Sequence, residues 1–120
     1  MFNKKNNETE APFAAGMNFD IEEVEPFLQR LSISVLESSL SKDEIHTITS
    51  EIISMNKNND IKEIGTFEVN YKGTPSKIRI ETEIHIEDGN KEAVLYMYSH
   101  QELVDRIDEE MIAVDEERNG

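Results

Sequence analysis

The chain contains no cysteine and few basic residues, with 12 lysines and arginines among 120 residues. Without cysteine it has no disulfide, no thiolate nucleophile and no zinc site with thiolate ligands. It also lacks any run of about 18 apolar residues, the length that a membrane-spanning helix needs. The first residues are charged but are not followed by an apolar segment of signal-peptide length. We therefore expect a cytoplasmic protein with no signal peptide and no membrane contact.

Motifs for catalysis and ligand binding are missing as well. The five glycines are dispersed and form no phosphate-binding loop, and the three histidines lack metal-ligand spacing. Residues 56–60 have the start of a calcium-loop pattern, but Ile61 and Phe67 stand where that loop needs glycine and glutamate. We therefore predict no catalytic residue, no metal site, no cofactor and no enzymatic activity.

Charge is the most informative property of the composition. The chain has 26 acidic residues and a formal net charge of −14 at pH 7. A field of this sign repels nucleic acids and membranes and attracts basic protein surfaces. Acidity also serves solubility alone in many proteins, and that alternative stays open at this point.

The chain divides into a short arm and one domain. Residues 1–17 are polar and show no apolar periodicity, which predicts a disordered N-terminal arm. Residues 18–120 then form a single acidic domain. Its first helix is predicted to begin near Asp20 and to continue, on the spacing of its apolar residues, to Leu40.

Two further helices are predicted from capping boxes, in which a serine and a glutamate three residues later cap the helix reciprocally. Ser41 and Glu44 form one such box, and an apolar stripe follows it. Ser99 and Glu102 have the same spacing before the last helical stripe.

Between these helices the apolar period changes to two, which predicts three strands. The segments 72–76 and 88–91 contain the turn residues that separate them. Short connections favour an antiparallel meander with the second strand in its centre. The predicted order is ααβββα, a two-layer α+β fold.

The third predicted strand differs from the second because it is apolar or aromatic on both faces, from Ala93 to Tyr98. A strand of this kind is usually covered on both sides, either by a helix or by a second copy of the chain. We predict a homodimer, since twofold dimers are the commonest oligomers, with Leu95 and Met97 in its interface.

The acidic residues concentrate in two places. On the second strand, alternate glutamates share one face at a spacing of about 6.6 Å, comparable with that of successive phosphates. On the last helix, acids lie away from the apolar stripe along roughly 18 Å, with Glu110 at one flank. The residues that we predict to contact a partner are Glu81, Glu83, Glu87, Asp105, Asp108, Glu109, Asp115, Glu116 and Glu117.

In size, acidity and lack of cysteine the chain resembles the acidic DNA-mimic inhibitors that bacteriophages encode against host DNA-binding proteins. The resemblance is one of class and covers charge and size. It implies a protein of the bacterial cytoplasm that blocks a basic nucleic-acid-binding surface and does not itself bind nucleic acid. The targets implied by this class are the histone-like protein HU, RNA polymerase and restriction or other defence nucleases.

An alternative from another class is a small acidic homodimeric chaperone that serves secretion or phage assembly. Such proteins are also compact, acidic and α+β, and they bind an extended client segment. An exposed apolar groove would favour the chaperone, whereas carboxylates aligned over a broad face would favour the DNA mimic.

Overall fold

A computed structural model describes residues 13–119. Over this range the chain forms three helices and a four-stranded sheet in the order βααβββα. The elements are β1 (Phe13–Asp20), α1 (Ile21–Ser34), α2 (Lys42–Ser54), β2 (Ile61–Tyr71), β3 (Thr74–Glu87), β4 (Asn90–Ser99) and α3 (Gln101–Asn119). The fold is α+β with two layers, as the periodicity predicts.

The sheet is antiparallel throughout, with the strand order β1-β4-β3-β2. The predicted meander of β2, β3 and β4 is present, and β3 lies between the other two. Lys72-Gly73 and Asp88-Gly89 connect its strands, and all four residues have positive φ. Such two-residue turns match the twist of the strands that they join. The first connection is therefore shorter than the predicted loop over 72–76.

The prediction of three strands was wrong, because β1 adds a fourth. Residues 13–17, assigned above to the disordered arm, form the first part of β1, while residues 1–12 of that arm lie outside the described residues. β1 pairs with β4, so that Ala15 stands opposite Met97. β1 contains alanine and glycine, which hide the alternation of apolar and polar residues by which a strand is recognised in a sequence. Its inward side chains, Ala15 and Phe19, are nevertheless buried.

Two helix ends also differ from prediction. α1 ends at Ser34 instead of Leu40, because Glu37 and Ser38 have positive φ, which no right-handed helix contains. α3 is capped by His100 and not by Ser99: the Leu103 N–H lies 3.4 Å from His100 Nδ1. The Ser99 hydroxyl donates to the Lys77 carbonyl instead.

All three helices cover the same face of the sheet and share one apolar core with it. The opposite face of the sheet is covered by no element among residues 13–119. No helix within this range is both long enough and apolar enough to span a membrane. The largest fully buried side chains of the core are Phe19, Leu28, Leu31, Leu36, Ile48, Ile52, Ile80, Ile84, Leu95, Met97, Leu103 and Ile107.

Candidate functional site

The outward face of α3 carries the densest group of exposed acids. The helix buries Leu103, Ile107 and Met111 against the sheet. Val104 and Glu110 flank this buried stripe, and the side chains on the opposite side of the helix point away from the core. The exposed acids on this side are Asp105, Asp108, Glu109, Asp115 and Glu116, and we call them the α3 acids.

Most of the α3 acids have no close cation among the described residues. No lysine, arginine or histidine of residues 13–119 lies within 4.0 Å of the carboxylates of Asp105, Asp108 or Glu116. Glu109 and Asp115 make only long pairs within the helix, of 3.7 Å with Arg106 and 3.8 Å with Arg118. Exposed pairs of this kind contribute little to stability, so these two acids also stay accessible.

Glu117 and Glu110 have a structural role. Arg30 on α1 donates to both Glu117 oxygens at 3.0 Å and to Glu110 at 2.9 Å, and Arg106 donates to Glu110 at 2.8 Å. Burial by itself raises the pKa of Glu110. The hydrogen bonds from Arg106 and Arg30 outweigh it and hold the pKa below its ordinary value. These two glutamates join α3 to α1, although we had placed Glu117 in the partner-binding set and Glu110 beside it.

The glutamates of β3 lie on the uncovered face of the sheet, as their alternation predicts, but they are engaged there. Glu81 pairs with Arg79 and accepts a hydrogen bond from the Tyr98 hydroxyl at 3.2 Å. Glu83 accepts from Tyr96 at 3.5 Å and lies 3.3 Å from His85 Nε2.

Tyr98 shows how closely this face is packed. The carbon of the Arg79 guanidinium lies 4.0 Å from the centroid of its ring. Burial and the nearby Glu81 carboxylate raise the pKa of Tyr98 above its ordinary value. Glu87 differs from Glu81 and Glu83 because it stands exposed at the β3–β4 turn, with no cation within 4.0 Å among the described residues.

The two acidic groups predicted from the sequence lie on opposite sides of the domain. The α3 acids face solvent from the helical layer, and the β3 glutamates face solvent from the uncovered side of the sheet. The sheet and the core stand between them. One flat partner surface therefore cannot contact both groups at once.

Leu95 and Met97 are not surface residues. Both have 0% exposure and belong to the core beneath the helices, so they cannot contact a second copy of the folded chain. Their side of β4 is the one that a helix covers. The other side of β4, with Val94, Tyr96 and Tyr98, is half-buried and lies on the uncovered face.

The histidines are not brought together. His85 Nδ1 lies 3.1 Å from the Asn59 side-chain oxygen, His46 lies on α2, and His100 caps α3. Among the described residues, no group of three or more histidine, aspartate or glutamate side chains is placed to hold a metal ion.

Sequence reasoning missed the aromatic part of the uncovered face. The sequence pattern predicts Tyr96 and Tyr98 only as apolar positions of a strand with two apolar sides. Their alternation with Leu95 and Met97 was the available signal, because residues two apart on a strand share a face. Comparison with protein-family models, curated proteins and solved structures finds no match to this chain.

Proposed function

We propose that the protein is an acidic interaction protein that mimics DNA and blocks the basic surface of a nucleic-acid-binding protein. The charge spacing on α3 carries this proposal. The five α3 acids span Asp105 to Glu116, roughly 16.5 Å of helix. The mean axial spacing between successive carboxylates is therefore about 4.1 Å, against one phosphate per about 3.4 Å along a single DNA strand.

The α3 acids suit this role better than the β3 glutamates. Glu81 and Glu83 already have Arg79, His85 and tyrosine hydroxyls as partners. A partner's cation would have to compete with those contacts. Within residues 13–119, three of the α3 acids have no cation within 4.0 Å and the other two have one only at 3.7 or 3.8 Å, so an incoming lysine or arginine meets less competition there.

The α3 acids also surround an apolar contact. Ile112 lies among them on the outward face and is 50% exposed. An apolar side chain within a charged rim supplies binding free energy that salt does not screen. The partners that we propose are those of the DNA-mimic class: HU, RNA polymerase or a defence nuclease in the bacterial cytoplasm.

Competition with DNA tests the proposal directly. Purified HU, RNA polymerase and a restriction nuclease are each bound to fluorescently labelled duplex DNA and titrated with the protein. We expect the protein to displace DNA from at least one of them, with an affinity that falls steeply from 0.05 to 0.5 M NaCl because ion pairs and steering are screened.

A charge-matched pair of variants locates the surface. The variant Asp105→Asn, Asp108→Asn, Glu116→Gln removes the three α3 acids that have no cation within 4.0 Å in the described part of the chain. It should weaken displacement about ten-fold, since each exposed pair contributes up to about 1 kcal/mol. The control Glu25→Gln, Glu68→Gln, Asp88→Asn removes the same charge from other exposed positions and should change it less than two-fold. Simultaneous binding of DNA and protein, or an affinity independent of salt, would contradict DNA mimicry.

The homodimeric chaperone is the second candidate, and one observation favours it. A cavity of about 550 Å³ lies between α1 and α2, with Ile33, Leu40 and Ile45 in its lining. Ile33 is 72% exposed. A client segment, or the second copy of a homodimer, would bury it. We expect Ile33→Ser to abolish such binding or dimerisation, measured by light scattering and client-peptide titration, whereas DNA displacement would be unchanged.

A further inference from the structure

The uncovered face of the sheet contains the same side-chain unit twice. Tyr98 donates to Glu81 at 3.2 Å, and Tyr96 donates to Glu83 at 3.5 Å. Each unit joins a tyrosine of β4 to a glutamate of β3. The second unit follows the first by two residues along both strands, about 7 Å away.

The first unit holds a guanidinium. Arg79 lies over the Tyr98 ring, 4.0 Å from its centroid, and pairs with the Glu81 carboxylate. A planar guanidinium can stack on a tyrosine ring and at the same time donate hydrogen bonds to a neighbouring carboxylate. This contact is an example, on this face, of a guanidinium held by a tyrosine and a glutamate together.

The second unit has no cation on its ring. Within residues 13–119, no lysine or arginine lies over Tyr96. The strand register explains why: Arg79 stands opposite Tyr98, but Glu81 stands opposite Tyr96. Where the first unit has its arginine, the second therefore has another carboxylate.

The surroundings of Tyr96 are acidic. Among the described residues the cation close to Glu83 is His85, at 3.3 Å, which carries a charge only when protonated and which an incoming arginine would displace. Glu63 on β2 stands opposite Glu81, and like charges in directly opposed positions destabilise a sheet. A bound cation would relieve this repulsion. On the other side, the Tyr96 ring lies against Gly16, where an added Cβ would be 2.9 Å from the ring. No side chain from that position of β1 screens the ring.

We propose that Tyr96 and Glu83, with Glu81 and Glu63 beside them, bind an arginine side chain of a basic protein partner in the way that Tyr98 and Glu81 bind Arg79. Charge complementarity selects this occupant. A second copy of the chain would bring a net charge of −14 to an acidic face, and a nucleic acid would be repelled likewise. The site lies opposite the α3 acids and does not depend on DNA mimicry.

The test uses the full chain and the peptide acetyl-Gly-Arg-Gly-Arg-Gly-amide, followed by ¹H–¹⁵N NMR. We expect saturable shifts at the backbone amides of β3 and β4 around Glu83 and Tyr96. A peptide with citrulline in place of arginine has a side chain of the same shape but no positive charge, and it should produce no such shifts. A lysine peptide should bind more weakly, because an ammonium does not stack on a ring as a guanidinium does.

Variants separate the ring from the hydroxyl. Tyr96→Leu should weaken the arginine peptide about five-fold, since cation–π contacts at partly exposed sites are of that size. Tyr96→Phe keeps the ring and should stay within about two-fold. Glu83→Gln removes the carboxylate charge and leaves the Tyr96 ring in place. It should weaken binding of the arginine peptide by a comparable factor.

Glu25→Gln, at an exposed position of α1 in the helical layer, is the control and should leave the shifts at β3 and β4 unchanged. The proposal is overturned if those shifts are absent, if citrulline and arginine peptides give the same shifts, or if Tyr96→Leu and Glu83→Gln both bind as the unchanged chain does. None of these results bears on displacement of DNA, so the two proposals can fail separately.

Discussion

At the scale of single residues, the half-buried arginines decide which acids are structural. Glu110 is 9% exposed and receives hydrogen bonds from Arg30 and Arg106. Removing one partner of a buried charged pair leaves the other charge without compensation. The contact from α1 to α3 therefore depends on Glu110 more than on any of the exposed α3 acids.

We predict that Glu110→Gln lowers the free energy of unfolding by about 2 kcal/mol, the typical size of hydrogen bonds to a charged group. Urea unfolding followed by circular dichroism measures this. Glu109→Gln, one residue away and exposed, is the matched control and should change stability by less than about 0.5 kcal/mol. Equal effects of the two substitutions would show that the Arg30 contact contributes nothing.

The same carboxyl makes stability depend on pH. Its pKa in the folded protein lies below the ordinary value of 4.5, so the unfolded chain takes up the proton first. The contribution of Glu110 is therefore complete above about pH 5 and is lost as the pH falls below 4.5. The difference between the unchanged chain and Glu110→Gln should shrink over that range, and a difference that stays constant down to pH 3 would contradict the assignment.

At the scale of elements, β1 is an edge strand whose exposed side is partly covered. The Asp20 N–H donates to Glu23 at 2.9 Å, and the Asn18 carbonyl accepts from Arg118 at 2.9 Å. Arg118 and Glu23 are themselves paired at 2.8 Å. The ends of α1 and α3 thus occupy backbone groups that would otherwise be free to pair with another chain.

Truncation tests the place of β1 in the domain. A chain that begins at Asn18 loses five of the eight residues of β1, including buried Ala15, and leaves part of β4 without its neighbour. We expect it to lose about 2–3 kcal/mol of stability, from roughly one kcal/mol per hydrogen bond lost. A chain that begins at Phe13 retains all of β1 and serves as the control. Equal melting temperatures for the two would mean that β1 adds no stability.

At the scale of the whole molecule, the net charge of −14 opposes compaction. Like charges repel across the surface, and salt weakens that repulsion as the Debye length falls from about 30 Å at 0.01 M to about 10 Å at 0.1 M. The ten ion pairs of the described residues act in the other direction, but most of them are exposed and therefore weak.

We therefore predict that the Tm rises by several degrees between 0.01 and 0.5 M NaCl, measured by differential scanning calorimetry. Choline chloride, at the same ionic strength, should give the same rise because the effect is screening and not binding of a specific cation. A Tm that falls with salt would show that the ion pairs outweigh the repulsion.

The elements whose signals are local could be predicted from the order of the amino acids alone. The capping box at Ser41 and Glu44 begins α2: the Glu44 N–H lies 3.1 Å from the Ser41 hydroxyl, and the Ser41 N–H lies 2.9 Å from the Glu44 carboxylate. Asp88-Gly89 likewise predicts the turn between β3 and β4, and the alternation of apolar and polar residues on either side of it predicts the two strands. These patterns involve residues at most a few positions apart, so one segment contains the whole signal.

Which face each strand buries, and which acids lack a close cation within residues 13–119, depends on contacts between distant segments. β1 forms because residues some 80 positions away offer it an edge, which no local period reports. The same pairing puts Leu95 and Met97 in the core and leaves Tyr96 and Tyr98 on the uncovered face. Glu110 and Glu117 read as part of an acidic helix surface until the packing of α1 brings Arg30 within 3.0 Å of both. Burial and ion pairing are properties of segments in contact, and that is why the sequence predicted the acidic surface but not the distinction within it.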